Sequence, residues 1–428
     1  MNGETTLWLT AGLFTLTYLA LAFGRVPGLR IDRAGIALVG ATLMLVTGML
    51  SFRQAISPDA IDYKTLTLLF GMMVVVGFLR LSGLLQRVTE LVFDRIRTPR
   101  WLLAVTITIS GVLSAFLIND IVCLALTPLV LHLARRLRFD PVPHLIALAT
   151  AANIGSTGTI TGNPQNIYIG SHSGIPYLRF AARLGPVAAL GLVLNFVVIA
   201  LVYRRQLTLT TGATRPNPGE TLVADRRQSR QSQGRFRVLQ GKSAIVALAT
   251  VTLFFTGLPL ELVALGAASV LLLSRIKPEH IYRQIDWSLL VMFIGLFVVV
   301  HAFQLHVVDH WGIEHWDGLL SRQPVGLLSL VATFLSNLVS NVPAVLLMEP
   351  VLKAIPAASR ETAWLALAMS STLAGNLTVL GSVANLIVLE NGHREGVRVS
   401  FWEYCKVGVP LTILTLALGI AWLEFVHY

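Results

Sequence analysis

Charge is scarce in this sequence. Only 13% of its 428 residues are Asp, Glu, Lys or Arg, about half the fraction a soluble domain carries. A chain so poor in charge is not built to face water on every side. Cysteine is scarcer, with Cys123 and Cys405 alone, which excludes a disulfide framework. No run of Cys, His and acidic residues has metal-ligand spacing, and neither a catalytic triad nor a phosphate-binding loop can be recognised. An enzyme is therefore not expected, and no metal or organic cofactor is implied. Acidic residues are the rarer sign, 22 against 33 Lys and Arg, for a net charge of +11. That excess does not call for nucleic acid. Much of it lies in residues 203–242, with eight Arg and one Lys against Glu220 and Asp225, and the positive bias of cytoplasmic loops explains such a segment without a partner.

Apolar residues fill the space that charge leaves. They make up 54% of the chain, mean hydropathy is +0.71, and apolar runs of about 17–20 residues recur from end to end. The expectation is an all-α, multi-pass protein of a bacterial-type cytoplasmic membrane, with the lipid bilayer as its first partner. The first run, residues 7–23, precedes Arg25, Arg30 and Arg33. A signal peptide has the reverse charge order, so this run is expected to be retained.

Arginine flanks set the topology. Residues 34–50 and 65–85 are spans, and residues 51–64 form an external link. Residues 101–133 have basic flanks at both ends, Arg95, Arg97 and Arg100 before and Arg135, Arg136 and Arg138 after. Each half has about 15 residues, short of the roughly 20 a span needs, which favours a re-entrant hairpin with Asn119 and Asp120 at its tip over two short spans. Residues 144–171 go out, 175–183 read as an interfacial helix, and 184–203 return. After the basic segment come spans 243–257 and 260–274, and then the pattern restarts. Ile285-Asp286-Trp287 echoes Ile61-Asp62-Tyr63, Gly295 echoes Gly71, Asn341 and Pro350 echo Asn119 and Pro128, and Gly381 and Asn385 echo Gly162 and Asn166. The loop of residues 306–322, with Asp309, Glu314 and Asp317 and the histidines His306, His310 and His315, suits the outside. The second hairpin, residues 325–353 with Ser340-Asn341 at its tip, then enters from outside. Two inverted repeats follow, about ten spans plus two hairpins, with both termini external. The divisions are scaffold spans in 1–60, a first repeat in 61–203, a cytoplasmic linker in 204–242, scaffold spans in 243–284 and a second repeat in 285–428.

The chemistry gathers where the spans are interrupted. Asn153–Asn166 reads NIGSTGTITGNPQN inside an otherwise apolar segment. Gly, Pro, Ser, Thr and Asn are poor residues for an unbroken helix, and irregular backbone at membrane depth is tolerated only when buried in protein or lining a wet cavity. AGNLTVLGSVAN, residues 374–385, repeats the pattern about 220 positions on. Paired interrupted spans point to a transporter's binding site. Candidate solute or ion ligands are Asn153, Thr157, Thr159, Gly162, Asn163 and Asn166 in the first gap. In the second they are Asn376, Thr378, Gly381, Ser382 and Asn385. Asn119, Ser340 and Asn341 join them at the hairpin tips, where the asparagines could instead merely cap the second arms. Asp120 is a carboxylate at membrane depth and hence a functional candidate by default. It would bind a proton or Na+ as coupling ion. Its counterpart, Val342, cannot. Glu349 is open between a second proton group and a residue near the external surface. Cys123 reads as a small hydrophobe.

IDYKTLTLLFGMMVVVGFL (residues 61–79), SAFLINDIVCLALTPLV (114–130), NIGSTGTITGNPQN and NLTVLGSVANLIV (376–388) together resemble the ion-transporter superfamily. The branch is the one that holds the ArsB arsenite permeases, the NhaD Na+/H+ antiporter, citrate transporters and the melanosomal P protein. The resemblance covers nearly the whole chain. It implies a secondary transporter of a small anion or metalloid, coupled to H+ or Na+, with elevator motion and a homodimer, or a cation/proton antiporter on the same scaffold. Dicarboxylate members carry Ser-Asn-Thr at both tips. Here the tips read Ile118-Asn119-Asp120 and Ser340-Asn341-Val342, and the first is more similar to the arsenite type.

Overall fold

The computed structural model describes residues 3–24, 28, 30–84, 87, 96, 98–208, 233–274, 276–308 and 324–426. The middle of the basic linker, Arg95 and Arg97, and the loop residues Asp309, His310, Glu314, His315 and Asp317 lie outside the described residues. Helices α1 (Gly3–Phe23) and α2 (Arg33–Val46) lead to α3 (Tyr63–Leu81). The pair α4 (Pro99–Phe116) and α5 (Asn119–Arg136) comes next, then α6 (Val142–Ser156), α7 (Pro164–Ser173) and α8 (Tyr177–Val202). The second half runs in the same order. It has α9 (Gln233–Phe254), α10 (Leu260–Leu272), α11 (Trp287–Phe303), the pair α12 (Pro324–Val339) and α13 (Asn341–Ala354), and then α14 (Ala357–Leu373), α15 (Val383–Arg394) and α16 (Phe401–Phe425). No strand occurs among the described residues.

Six described helices are long and apolar enough to cross a bilayer: α1, α3, α4, α8, α16 and α11 with its π-helical extension Gln304–Val308. Their outer faces carry bare apolar side chains such as Trp8, Leu16, Leu201 and Ile413. In water such faces would mark a fault; against lipid tails they are the solvated surface.

The sequence echo between the halves has a structural counterpart. Asp62 caps α3 by accepting from the Lys64 N–H at 3.0 Å, and Asp286 caps α11 by accepting from Leu289 N–H at 3.0 Å. Their φ/ψ pairs are −78°/89° and −80°/84°. Gly71 of α3 lies against the backbone of Ala264 in α10, and Gly295 of α11 lies against the backbone of Ala37 in α2. A side chain at either glycine would collide with main chain. Each half thus packs its long span onto the second helix of the other, and the halves interlock.

Two expectations need correction. The hairpin arms are longer than the flanking charges suggested, 18 residues each in α4 and α5. Thr98 caps α4 through the Trp101 N–H, with Pro99 just inside, and α5 continues through Arg135 and Arg136. Arm length therefore no longer argues for a re-entrant loop. Residues 175–183 also form no separate interfacial helix. They open the 26-residue α8, which tolerates Pro186 and buries Arg183.

Candidate functional site

The four interruptions expected from sequence are all present, and each has a local cause. Helix α4 stops at Leu117, which is extended (φ −120°), and α5 begins at Asn119. Helix α12 stops before Ser340, whose φ of +80° no helix accommodates. Helix α6 ends at Ser156. A single 3-10 turn, Ile160–Gly162, stands between Thr159 (φ −143°) and Asn163 (φ −155°), both extended. In the second span, 3-10 turns at Ala374–Asn376 and Val379–Gly381 flank extended Thr378 (φ −136°), and Ser382 (φ −145°) follows. Asn163 caps α7, its Oδ1 accepting from Asn166 N–H at 2.8 Å, and Ser382 caps α15, its Oγ accepting from Ala384 N–H at 3.2 Å.

Backbone opened in this way leaves carbonyls without helical partners, and asparagine amides collect them. Asn166 Nδ2 donates to Ser156 O (3.1 Å) and Thr159 O (3.0 Å). Asn385 Nδ2 donates to Gly375 O (2.7 Å) and Thr378 O (3.1 Å). The two perform the same task in their own gaps. Gly162 is pressed against the Ser156 backbone and Gly381 against Gly375 O and Asn337 Oδ1, so a Cβ at either would force the loop open. Each gap is also stitched to its own hairpin. Thr159 Oγ1 donates to Ala115 O of α4, while Asn337 of α12 donates to Ala374 O at 3.0 Å and accepts from Thr378 Oγ1 at 3.5 Å.

Three of the four interruptions meet at one residue. Asn153 Nδ2 donates to Asn376 Oδ1 (2.9 Å) and Asn385 Oδ1 (3.1 Å) of the second gap, and its Oδ1 accepts from Asn119 Nδ2 at the first tip (3.0 Å) and from Ser382 Oγ (3.0 Å). Thr372 of α14 makes the reciprocal reach. Its hydroxyl accepts from Asn163 Nδ2 (3.1 Å) and Gln165 Nε2 (3.2 Å) and donates to Asn166 Oδ1 (3.4 Å). Asn376 closes the cluster by donating to Thr150 O at 3.3 Å, and Thr157 donates to its own Asn153 O at 3.2 Å. Nearly all of this cluster is buried.

The gap amides of Asn163, Asn166 and Asn385 bond to backbone carbonyls and, for Asn163, to the Ser156 and Thr372 hydroxyls. Thr372, Gln165, Thr150 and Ser156 belong to the cluster and were missed. Thr372 was findable, since it occupies in the second repeat the place of Asn153 in the first, but Thr and Asn do not look alike in a comparison of letters.

What stays open sits at the tips. Asn119 Oδ1 and Asn341 Oδ1 are both buried without a hydrogen-bond partner, at equivalent places. Ser114 Oγ and Ser336 Oγ, five residues before each tip asparagine, are also buried and unpartnered. Such groups are costly unless something else engages them. Ser340 caps nothing with its side chain. Asp120, half-buried beside the first tip, makes no hydrogen bond or ion pair among the described residues. Cys123 is buried in the apolar core. Glu349 is not at the surface. It is 6% exposed, accepts from the Tyr168 hydroxyl, and pairs with Lys353 Nζ at 2.9 Å.

Solved and curated proteins resemble this chain. The YdaH transporter of Alcanivorax borkumensis superposes with a TM-score of 0.54 at 15% identity, over 98% of this chain and 96% of that one, which is a likeness of fold alone. "Silicon efflux transporter LSI3" of Oryza sativa subsp. japonica is 30% identical, with 95% of each chain covered. "Putative transporter arsB" of Dictyostelium discoideum is 26% identical, covering 92% of this chain and 87% of that protein. The chain is a multi-pass membrane transporter and not an enzyme. With residues 18–374 matching the profile described as "Citrate transporter", it belongs to the citrate transporter family.

Proposed function

We propose that the chain is a secondary active transporter of a small anion, whether an inorganic oxyanion, arsenite or a carboxylate such as citrate, coupled to H+ or Na+. The observation that carries this reading is the convergence on Asn153, where a hairpin tip and both interrupted spans share one buried hydrogen-bond cluster. The N-termini of α5, α7, α13 and α15 all begin at these interruptions. Helix N-termini favour an anion, and discontinuous helices meeting at a midplane are how transporters hold a solute between repeats.

Contacts at the two ends support the inverted topology with both termini external. The link 51–64 and the ends of α7, α11 and α13, all external by the charge rule, line one cavity together with the start of α14. On the cytoplasmic side by the same rule, Arg135 of α5 pairs with Glu395 after α15 at 2.9 Å, Arg80 donates to Gln284 at 2.8 Å, and Tyr203 donates to Glu403 at 2.7 Å. If the gaps lie at the midplane, the Asn119 tip that bonds to Asn153 lies there too, as a re-entrant loop requires.

A cation/proton antiporter is the second reading. The unpartnered Asn119 and Asn341 oxygens and the unpaired Asp120 favour it, since neutral and anionic oxygens suit Na+. The test is uptake and efflux of arsenite, citrate, silicic acid and Na+ by reconstituted vesicles with an imposed pH gradient. Gradient-driven accumulation of one anion is expected. Asp120→Asn, which removes the charge and keeps the size, abolishes accumulation and spares solute exchange. Ohmic single-channel conductance, or full accumulation by the mutant, would overturn the reading.

A further inference from the structure

We propose that Glu349 is a proton-binding carboxyl, and that Tyr168 transmits its state to the paired gaps. The inference rests on the transporter reading and adds a second titratable site, away from the hairpin tips.

A cavity of about 240 Å³ opens at the end of α7 remote from the gap. Asp62, Tyr168, His172, Glu349, Lys353 and Arg360 line it. Glu349 is the carboxylate on its wall that sits inside a helix, in α13. Its Oε2 accepts from the Tyr168 hydroxyl and its Oε1 faces Lys353 Nζ at 2.9 Å. The Lys353 side chain is 55% exposed and that of Glu349 only 8%. A buried carboxyl thus has two polar partners, one phenol and one ammonium group whose own side chain is more than half in solvent.

Two of the other charged groups on this cavity have other work. Asp62 caps α3, accepts from the Thr65 hydroxyl and faces His172 Nδ1 at 3.3 Å. Arg360 donates to Ile355 O at 3.0 Å and Lys353 O at 3.2 Å, which occupies it at the end of α13. Asp59 and His301 complete the charged lining.

Helix α7 links this cavity to the gap cluster. Gln165, Tyr168 and His172 follow at helical spacing on one face. Gln165 bonds Thr372 in the cluster, Tyr168 bonds Glu349, and the Tyr168 and His172 rings lie 4.1 Å apart. The seven helical steps from Gln165 to His172 span about 10 Å. Glu349 stands on the arm whose first residue is the tip asparagine Asn341.

Proton uptake has a defined course here. A hydronium ion in the cavity gives its proton to Oε1 of Glu349 and leaves as water. Lys353 keeps all its protons and turns to solvent. The Tyr168 bond changes from charge-assisted to neutral and weakens. That bond joins α7 of the first broken span to α13 of the second hairpin, so protonation loosens the joint between the repeats, and reformation of the ion pair returns the proton to the cavity.

The test reads the carboxyl directly. Purified protein in lipid vesicles is titrated from pH 8 to pH 5 and followed by infrared difference spectroscopy in H2O and D2O. A protonated-carboxyl band should grow in as pH falls. Glu349→Gln should remove one component of it, Tyr168→Phe should shift the frequency of that component, and Asp120→Asn should leave that component in place. Lys353→Gln should move its midpoint to higher pH, because losing a positive neighbour favours the neutral acid. In the same vesicles, Na+ exchange should vary with pH in the wild type, and Glu349→Gln should flatten the part of that dependence that survives Asp120→Asn. A band untouched by Glu349→Gln, or one that Tyr168→Phe and Lys353→Gln both leave unmoved, overturns the proposal. Absence of transport of every probe, with the band behaving as described, would instead count against the transporter reading.

Discussion

The two broken spans open in the same manner, and the two hairpins do not match. Asn166 and Asn385 collect carbonyls in equivalent ways, and Thr159 and Thr378 have nearly the same dihedral angles. The first tip, however, carries Asp120 where the second has Val342. The second arm carries Glu349 where the first has Thr127, whose hydroxyl only bonds back to Cys123 O at 2.6 Å. Groups that hold backbone open are therefore duplicated, and carboxylates are not. The duplicated set supplies geometry. The unduplicated set puts one titratable group at the tip of one hairpin and another two turns along the second arm of the other.

The sharpest way to break this comparison is to ask whether the halves are inverted. In a background lacking Cys123 and Cys405, cysteines at Arg100 and Leu137 report on the ends of the first hairpin, and cysteines at Gly326 and Ala357 on those of the second. The first pair should react with a membrane-impermeant maleimide only from the cytoplasm, and the second pair only from outside. This is an all-or-none result. Should the ends of either hairpin react from opposite faces, that segment crosses the membrane an odd number of times and the inverted repeat is lost.

A smaller effect separates two of the residues that cross between the halves. Asn153 makes four side-chain hydrogen bonds at 2.9–3.1 Å, and Thr372 makes three at 3.1–3.4 Å. Hydrogen bonds between membrane helices contribute about 0.6 kcal/mol on average, up to about 1.7. Asn153→Ala should therefore destabilise the protein by about 2–3 kcal/mol and Thr372→Ala by about 1–2, read as unfolding in detergent. Equal losses would show that the crossing is symmetric in energy and that the Asn153 convergence has no special weight.

The interruptions were legible because Gly, Pro and Asn disrupt helices for local reasons, so α6, α7, α14 and α15 end where their residues say. The echo between the halves was legible because Asp62 and Asp286 each cap the long helix that follows. Partner choice was not. Nothing near Asn163 in sequence says that its amide turns to Ser156 and Thr372 rather than to a solute, because those distances are set by packing across the interlocked halves. Arm length failed for a related reason. Charge was taken to end the helix, whereas Arg135 and Arg136 continue α5, where a helix C-terminus favours cations.

The finest test compares Asn166 with Asn385, which have the same role but different outside partners. Asn166→Ala removes two bonds to carbonyls of its own gap and one from Thr372. Asn385→Ala removes two bonds to carbonyls of its own gap and one from Asn153. Both leave opened backbone unsatisfied, and both should lower stability by about 1–2 kcal/mol. Ser110→Ala gives the scale. Its hydroxyl bonds Leu148 O at 2.9 Å in the first half, and the matching position in the second half is Ala332, so its loss should cost about 0.5–1 kcal/mol with transport unaltered. If Asn166→Ala and Asn385→Ala agree within about 0.5 kcal/mol, gap closure is an equivalent task in both repeats. If Asn385→Ala costs clearly more, the excess belongs to its bond with Asn153, and a double mutant with Asn153→Ala should recover it as a coupling energy. If Asn166→Ala costs no more than Ser110→Ala, its carbonyl bonds do not hold the first gap, and the matched geometry of the two gaps must rest on Gly162 and Gly381 alone.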